Sequence, residues 1–264
     1  MRELERDLVP TPSQQAPAVV VGRGRVGGSL AAAMDASEIP VRLASTAEAA
    51  EAAAGATAAL LCVPDTEIAT VCAGLTAEPH PALVGHVSGA TTLDALQSAT
   101  ARGSATFSLH PLQTFADEST PVEGVPCAIA GSDPAAEEFA GGLAKRMGMR
   151  PFAVPEEHRA AYHAAASIAS NFLIALEESA AELLDRAGIE QARELLAPLV
   201  LRTAANWAER GPEALTGPIA RGDRDTIERH RAALADLAPE LLPAYEALAA
   251  RTEAVAERTE GVTA

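Results

Sequence analysis

The chain predicts an α/β protein in two parts: a doubly wound parallel sheet over residues 18–155 and an all-helical second domain over 156–264, preceded by a flexible leader at 1–17. Three observations predict this. Short apolar runs of Val, Ala and Leu alternate with Ala-rich stretches of helical periodicity through the first half. The first run ends in Gly22, and Gly24 and Gly27 complete a G-x-G-x-x-G spacing just before the helix-prone SLAAAMDA. From Glu156 onward no strand-like run recurs, and Gly188, Gly211, Gly217 and Gly222 punctuate long helical patterns.

Taken in order, strands are expected near 18–22, 40–44, 58–63, 82–87, 104–109, 127–131 and 151–154, each a short apolar run bounded by turn residues. Helices are expected between them, near 26–36, 46–54, 66–75, 91–101 and 134–147. The second part reads as helices at 156–187, 190–209, 224–236 and 239–258, with no internal repeat of fixed period.

Composition removes several classes of function. The 264 residues are 48% hydrophobic but only 3% aromatic, so the core must be built from Ala, Val and Leu in close packing. A net charge of −16 repels a polyanion, which excludes nucleic acid as a partner. Cys62, Cys72 and Cys127 are widely spaced and without zinc-ligand partners, so no metal is expected and the thiols read as buried apolar groups in a reducing compartment. The leader lacks the apolar core of a signal peptide and no uncharged apolar run could span a bilayer, so the expectation is a soluble, cytoplasmic protein with no membrane partner. No P-loop, G-x-S-x-G elbow or H-E-x-x-H occurs.

A sheet of this kind binds ligands beyond the carboxyl ends of its strands, so those ends carry the candidates. In the first turn Gly22 permits a sharp bend, Gly24 lets backbone approach a pyrophosphate, and Gly27 lets the next helix, entered through Val26, pack closely. That helix presents its N-terminal N–H groups to the phosphates; the plainer reading is a tight turn without a ligand. The second strand ends in VRLAST, with Arg42, Ser45 and Thr46 where an NAD site places a carboxylate. Together with Arg23 and Arg25 this favours a 2′-phosphate, hence NADPH over NADH, against the alternative of solvated arginines. Val63 and Pro64 end the third strand beside the cofactor path, or form an ordinary turn. Ser88, or the Gly89 backbone, ends the fourth within reach of a nicotinamide, and His86 reads as a core histidine.

The fifth strand projects His110, with Pro111 fixing the turn, and this histidine either transfers a proton or simply terminates the strand. Gln113 and Thr114 follow as substrate hydrogen-bonders or loop surface. In HRAAYHAAASIASNF, His163, Ser167 and Asn171 drift only about 40° per step, giving one polar stripe that faces either a ligand or another helix. Tyr162 points about 100° away. In LTGPIARGDRDTIERH, Thr216 opens a turn, Arg221 can fork onto a substrate carboxylate or lie in water, Asp223 is a helix N-cap, and His230 is surface.

On the motifs SLHPLQTF, HAAASIASNF and LTGPIARGD, across residues 18–250, the chain resembles the 6-phosphogluconate dehydrogenase-like oxidoreductases, which join a Rossmann domain to an all-helical one. Within them it is most similar to Rossmann-like reductases whose C-terminal domain was long of unknown function, a group linked with alternative ketopantoate reductases. The resemblance to prephenate dehydrogenases, whose strand-end His-Pro contacts the reacting hydroxyl, implies that role for His110. Asn171 is similar in placement to the asparagine that follows the catalytic lysine of hydroxyisobutyrate-type reductases, but the lysine itself is missing: Lys145, the only lysine, lies in the first half. The resulting expectation is an NADPH-dependent reductase of a small 2-oxo acid, ketopantoate first, forming a homodimer through its C-terminal helices. Imine reduction of the pyrroline-carboxylate type and a non-catalytic NADP-binding sensor or scaffold are the alternatives.

Overall fold

A computed structural model describes residues 17–262, with side chains to 259, so the expected leader lies outside the described residues except for Pro17. The chain divides into two compact units between Ser167 and Ile168.

The first unit is one seven-stranded sheet in the order β2-β1-β3-β4-β5-β6-β7. Its strands are β1 (Ala18–Val21), β2 (Val41–Ala44), β3 (Ala58–Leu61), β4 (Leu83–His86), β5 (Ala105–Pro111), β6 (Pro126–Gly131) and β7 (Arg150–Ala153). Val21 pairs with Ala44 on one side and with Leu61 on the other, so the carboxyl ends of β1, β2 and β3 lie level where the strand order reverses. Alternation sends the strand side chains to two layers. Val20 joins Leu30 and Met34 of α1 (Arg25–Ala36) and Leu143 of α5 (Pro134–Arg146), whereas Val19 and Val21 face α2 (Ala49–Ala53) and α3 (Ile68–Gly74). The small-residue core expected from composition is present: alanines fill much of the second layer.

Two expectations are corrected. The sheet is not wholly parallel, because β6 runs antiparallel to β5, with Leu109 opposite Ile129. The connection at residues 112–125 contains no helix and so cannot carry the chain back to the other edge of the sheet. Instead it folds over the start of α1, where the Ser29 hydroxyl donates to the Asp117 carbonyl and a Cβ on Gly28 would lie 2.6 Å from that of Glu118. The helix expected over 156–187 is broken. A 3-10 turn at Glu156–His158 leads into α6 (Arg159–Ala169), and α7 (Asn171–Arg186) starts after Ser170, whose φ and ψ of −125° and −67° are not helical. Ser170 donates its hydroxyl to Asn171 Oδ1, a local side-chain bond of the kind that competes with helix continuation. Short 3-10 turns also open the expected helices at 46–54, 66–75 and 91–101, the last containing α4 (Gln97–Thr100).

The second unit is α-helical, with α7 followed by α8 (Ala192–Arg210), α9 (Arg224–Leu237) and α10 (Leu242–Val262). A bidentate pair between Arg193 and Glu178 ties α8 to α7, and one between Arg231 and Glu246 ties α10 to α9. Its apolar residues are conspicuously exposed: Phe172 is 57%, Leu199 63%, Leu201 71% and Trp207 66% accessible. Among the described residues no helix is long and apolar enough to cross a membrane.

Candidate active site

The glycine turn has the geometry its spacing implies. Gly22 takes φ +116°, and a Cβ there would meet the Cys62 carbonyl oxygen at 2.2 Å. At Gly27 a Cβ would lie 1.9 Å from the Gly22 carbonyl oxygen, so helix and strand approach as only glycine allows. Gly24, the N-cap of α1, has nothing within 4 Å of its missing Cβ. The first turn of α1 contains no acidic residue, so its positive end is uncompensated, and Arg23 and Arg25 are exposed beside it. Open space before a helix N-terminus is what a pyrophosphate requires, and these residues fit a dinucleotide.

At the neighbouring strand end one reading changes. A carboxylate does reach this corner: Glu48, three residues past Ser45, folds back in a capping box, and its Oε2 accepts from the Ser45 N–H and hydroxyl, each at 2.8 Å. Arg23 pairs with the same oxygen at 2.8 Å. Arg42 is turned elsewhere, donating to the Ala52 carbonyl. Pro64 is exposed and precedes a 3-10 turn.

The ends of β4 and β5 are joined by α6, and here buried side chains dominate. His110 Nδ1 lies 2.7 Å from the Tyr162 hydroxyl. His110 Nε2 sits against Gly89, where a Cβ would be 2.8 Å away, and His163 closes on the same glycine, its Cδ2 at 3.0 Å. The His110 and His163 rings are 6.4 Å apart. Burial, then the neighbouring His163 and the Arg159 cation, lower the His110 pKa to about 4, so the ring is neutral near pH 7. Burial raises the Tyr162 hydroxyl to about 12. Arg159, 1% exposed, fastens this corner: its guanidinium donates to the Ser88 carbonyl at 2.6 Å, to the Ser108 hydroxyl at 2.8 Å and to Glu156 at 3.3 Å. Glu156 in turn accepts from the Leu93 N–H. His86 is buried in the core with its pKa lowered to about 4, by burial first and Arg159 second.

The structure thus brings together His110, His163 and the Ser88–Gly89 turn. It directs the Ser88 hydroxyl inward, bonded to Thr91, so that the backbone of Gly89 faces the histidines. Gln113 donates to the Pro121 carbonyl and closes its own loop. Ser167 is half-buried near the end of α6, whereas Asn171 is exposed at the start of α7, so the single polar stripe is interrupted at Ser170. In the second unit Thr216 and Arg221 are exposed, Asp223 caps α9 by accepting from the Thr226 N–H, and exposed His230 meets Tyr245. Sequence reasoning missed Arg159 and undervalued Tyr162. The signal for Arg159 was a cation three residues after Glu156 at a helix start, which alone reads as a surface pair.

No curated protein matches the chain. Among solved structures it is similar to a Bacteroides fragilis protein proposed to be an NADP oxidoreductase, with 24% identity, TM-score 0.76, and 90% of this chain and 98% of that one covered. A Thermotoga maritima protein aligns at 23% identity and TM-score 0.74, over 92% and 99%. An Aspergillus terreus reductive aminase in complex with NADPH and ethyl-5-oxohexanoate aligns at 14% identity and TM-score 0.67, over 90% and 93%. These likenesses establish a shared fold. Residues 125–252, from the last strands of the sheet through most of the helical unit, match the model of a domain of unknown function, DUF2520.

Proposed function

We propose that the chain is an NADPH-dependent reductase of a small 2-oxo carboxylic acid, with ketopantoate the leading substrate. The observation that carries this reading is the pairing, along one sheet edge, of an open glycine turn fitted to a dinucleotide with a half-buried His110–Tyr162 pair facing the Gly89 backbone. NADPH supplies the hydride when bound; the turn from Gly22 to Gly27, with Val26 and Pro64 nearby, holds its phosphates, and Ser88 and Gly89 line the nicotinamide end. With Tyr162 donating to Nδ1, His110 carries its proton on Nε2, the side facing Gly89. Nε2–H then protonates the developing substrate alkoxide while Tyr162 passes its proton to Nδ1 and regains one from water. His163 supports the neutral state of His110. Within the helical unit, Asn171, Thr216 and Arg221 are the exposed polar groups offered for a substrate carbonyl and carboxylate.

One observation favours a second reading. A histidine neutral near pH 7 is a weaker acid than an imidazolium, and a cationic imine needs no proton donor, so cyclic imines of the pyrroline-carboxylate type belong in the same assay. Purified protein is offered a panel of 2-oxo acids and cyclic imines with NADPH, and absorbance loss at the nicotinamide band is followed. Turnover of a 2-oxo acid is the expected result, turnover of imines alone supports the second reading, and failure to bind NADPH overturns both. The exposed Phe172, Leu199, Leu201 and Trp207 support a homodimer through the C-terminal helices, and light scattering after size exclusion tests it.

A further inference from the structure

Glu48 is an unusual neighbour for a cofactor anion. One of its oxygens, Oε2, takes three donors at 2.8 Å: the N–H and the hydroxyl of Ser45, and the guanidinium of Arg23. A capping box accounts for the Ser45 N–H, and the Ser45 hydroxyl adds a second local donor. It does not account for Arg23, which comes from the other strand end and reaches this oxygen while its side chain stays 56% exposed. Ser45 and Arg23 are adjacent because β1 and β2 end level, with the Gly22 N–H donating to the Ala44 carbonyl at 2.8 Å. This is the corner at which a sheet of this topology receives the adenosine ribose of a dinucleotide. The Ser45 bonds and then the Arg23 charge hold the Glu48 carboxyl below its ordinary range, so it is an anion at neutral pH.

We propose that Glu48 Oε2 stands in the place of a phosphate oxygen, as an internal anion that the 2′-phosphate of NADPH must displace to reach Arg23 and Ser45. The inference rests on the dinucleotide reading of the glycine turn. Two anions cannot share the same three donors, so Glu48 swings out when the phosphate enters. The move is easy, because its side chain is 51% exposed and an exposed ion pair is worth little. NADH, carrying no 2′-phosphate, leaves Glu48 in place. Glu48 therefore sets the margin between the two cofactors by weakening NADPH alone, and Arg23 is the group for which the two anions compete.

The test is direct binding, by calorimetry, of NADPH, NADH, adenosine 2′,5′-bisphosphate and 5′-AMP to the wild type, Glu48→Gln and Glu48→Ala. Glu48→Gln keeps an acceptor at the cap and so preserves the local fold. Both variants are expected to bind NADPH and the bisphosphate more tightly, Glu48→Ala by about three- to fivefold, the scale of one exposed ion pair, with NADH and 5′-AMP unchanged within about twofold. Unchanged NADPH affinity in both variants, with a wild type that binds it, overturns the proposal and leaves Glu48 as a cap only. Weaker NADH binding with unchanged NADPH overturns it in favour of Glu48 accepting a ribose hydroxyl. A wild type that binds none of the four overturns the dinucleotide reading along with it.

Discussion

The two ends of the candidate site are built in opposite ways. At β1 and β2 the work is done by missing side chains, because Gly22 and Gly27 allow backbone contacts a Cβ would forbid and Gly24 leaves open space, with exposed arginines beside them. At β4 and β5 it is done by side chains turned away from water: Arg159 and His86 are buried, His110 is half-buried against Tyr162, and Arg159 ties the two strand ends through Ser88 and Ser108. The difference teaches that the proposed cofactor end rests on shape and solvated charge, whereas the proposed proton end rests on desolvation. Perturbing one should leave the other intact.

The largest expected effect separates the two ends outright. His110→Ala should lower kcat by about 10² to 10⁴ while the Kd for NADPH stays within about twofold. A parallel loss of NADPH binding would break the contrast. Acid should act on the buried end next. His86 and His110 have folded pKa values near 4, below the ordinary 6.5, so the unfolded chain binds more protons between these values. Stability is fully present above about pH 6.5 and is lost as pH falls toward about 4, by roughly 1.4 kcal/mol per unit of depression for each ring and several kcal/mol together. Urea unfolding at pH 7 and pH 5 measures the loss, and equal stability at both would remove the desolvation argument.

At the glycine end, Gly22→Ala should cost about 3 kcal/mol, combining a positive φ with a clash against the Cys62 carbonyl, as read by urea midpoint. Arg159→Met should cost about 1–3 kcal/mol by stranding the Ser88 carbonyl and Ser108 hydroxyl, and should move the His110 pKa up toward its ordinary value in an NMR titration. The smallest effect on stability sharpens the comparison most. Gly24→Ala, with nothing near its Cβ, should change stability by under about 0.5 kcal/mol yet weaken NADPH binding at least about tenfold, a split that Gly22→Ala cannot show.

The same contrast explains what could be read from the sequence. The glycine turn was legible because its contacts are local: G-x-G-x-x-G after an apolar run is a backbone requirement written in adjacent residues. Strand positions, the Asp223 cap, and His110 at a strand end were legible for the same reason. Arg159 was not, since its partners Ser88 and Ser108 are 71 and 51 positions away and meet it only once β4, β5 and α6 have packed. Glu48 was missed at intermediate range, because extrapolating from strand to helix overlooked a 3-10 turn that bends the chain back on Ser45. The break at Ser170 was hidden within unbroken apolar periodicity, where one serine–asparagine bond outweighed the pattern.

The reversed β6 has a consequence for how this scaffold can diversify. A parallel strand after β5 would have sent its connection to the far side of the sheet, whereas reversal leaves residues 112–125 as a border beside α1, touching it through Asp117 and Glu118 and pinned to the core by Val122. Its exposed stretch at 116–119 can be lengthened or recomposed without altering any strand register, while Val122 stays in the core. It is the part of the molecule where new ligand preferences are acquired at least cost to the glycine turn and the histidines at the ends of β4 and β5.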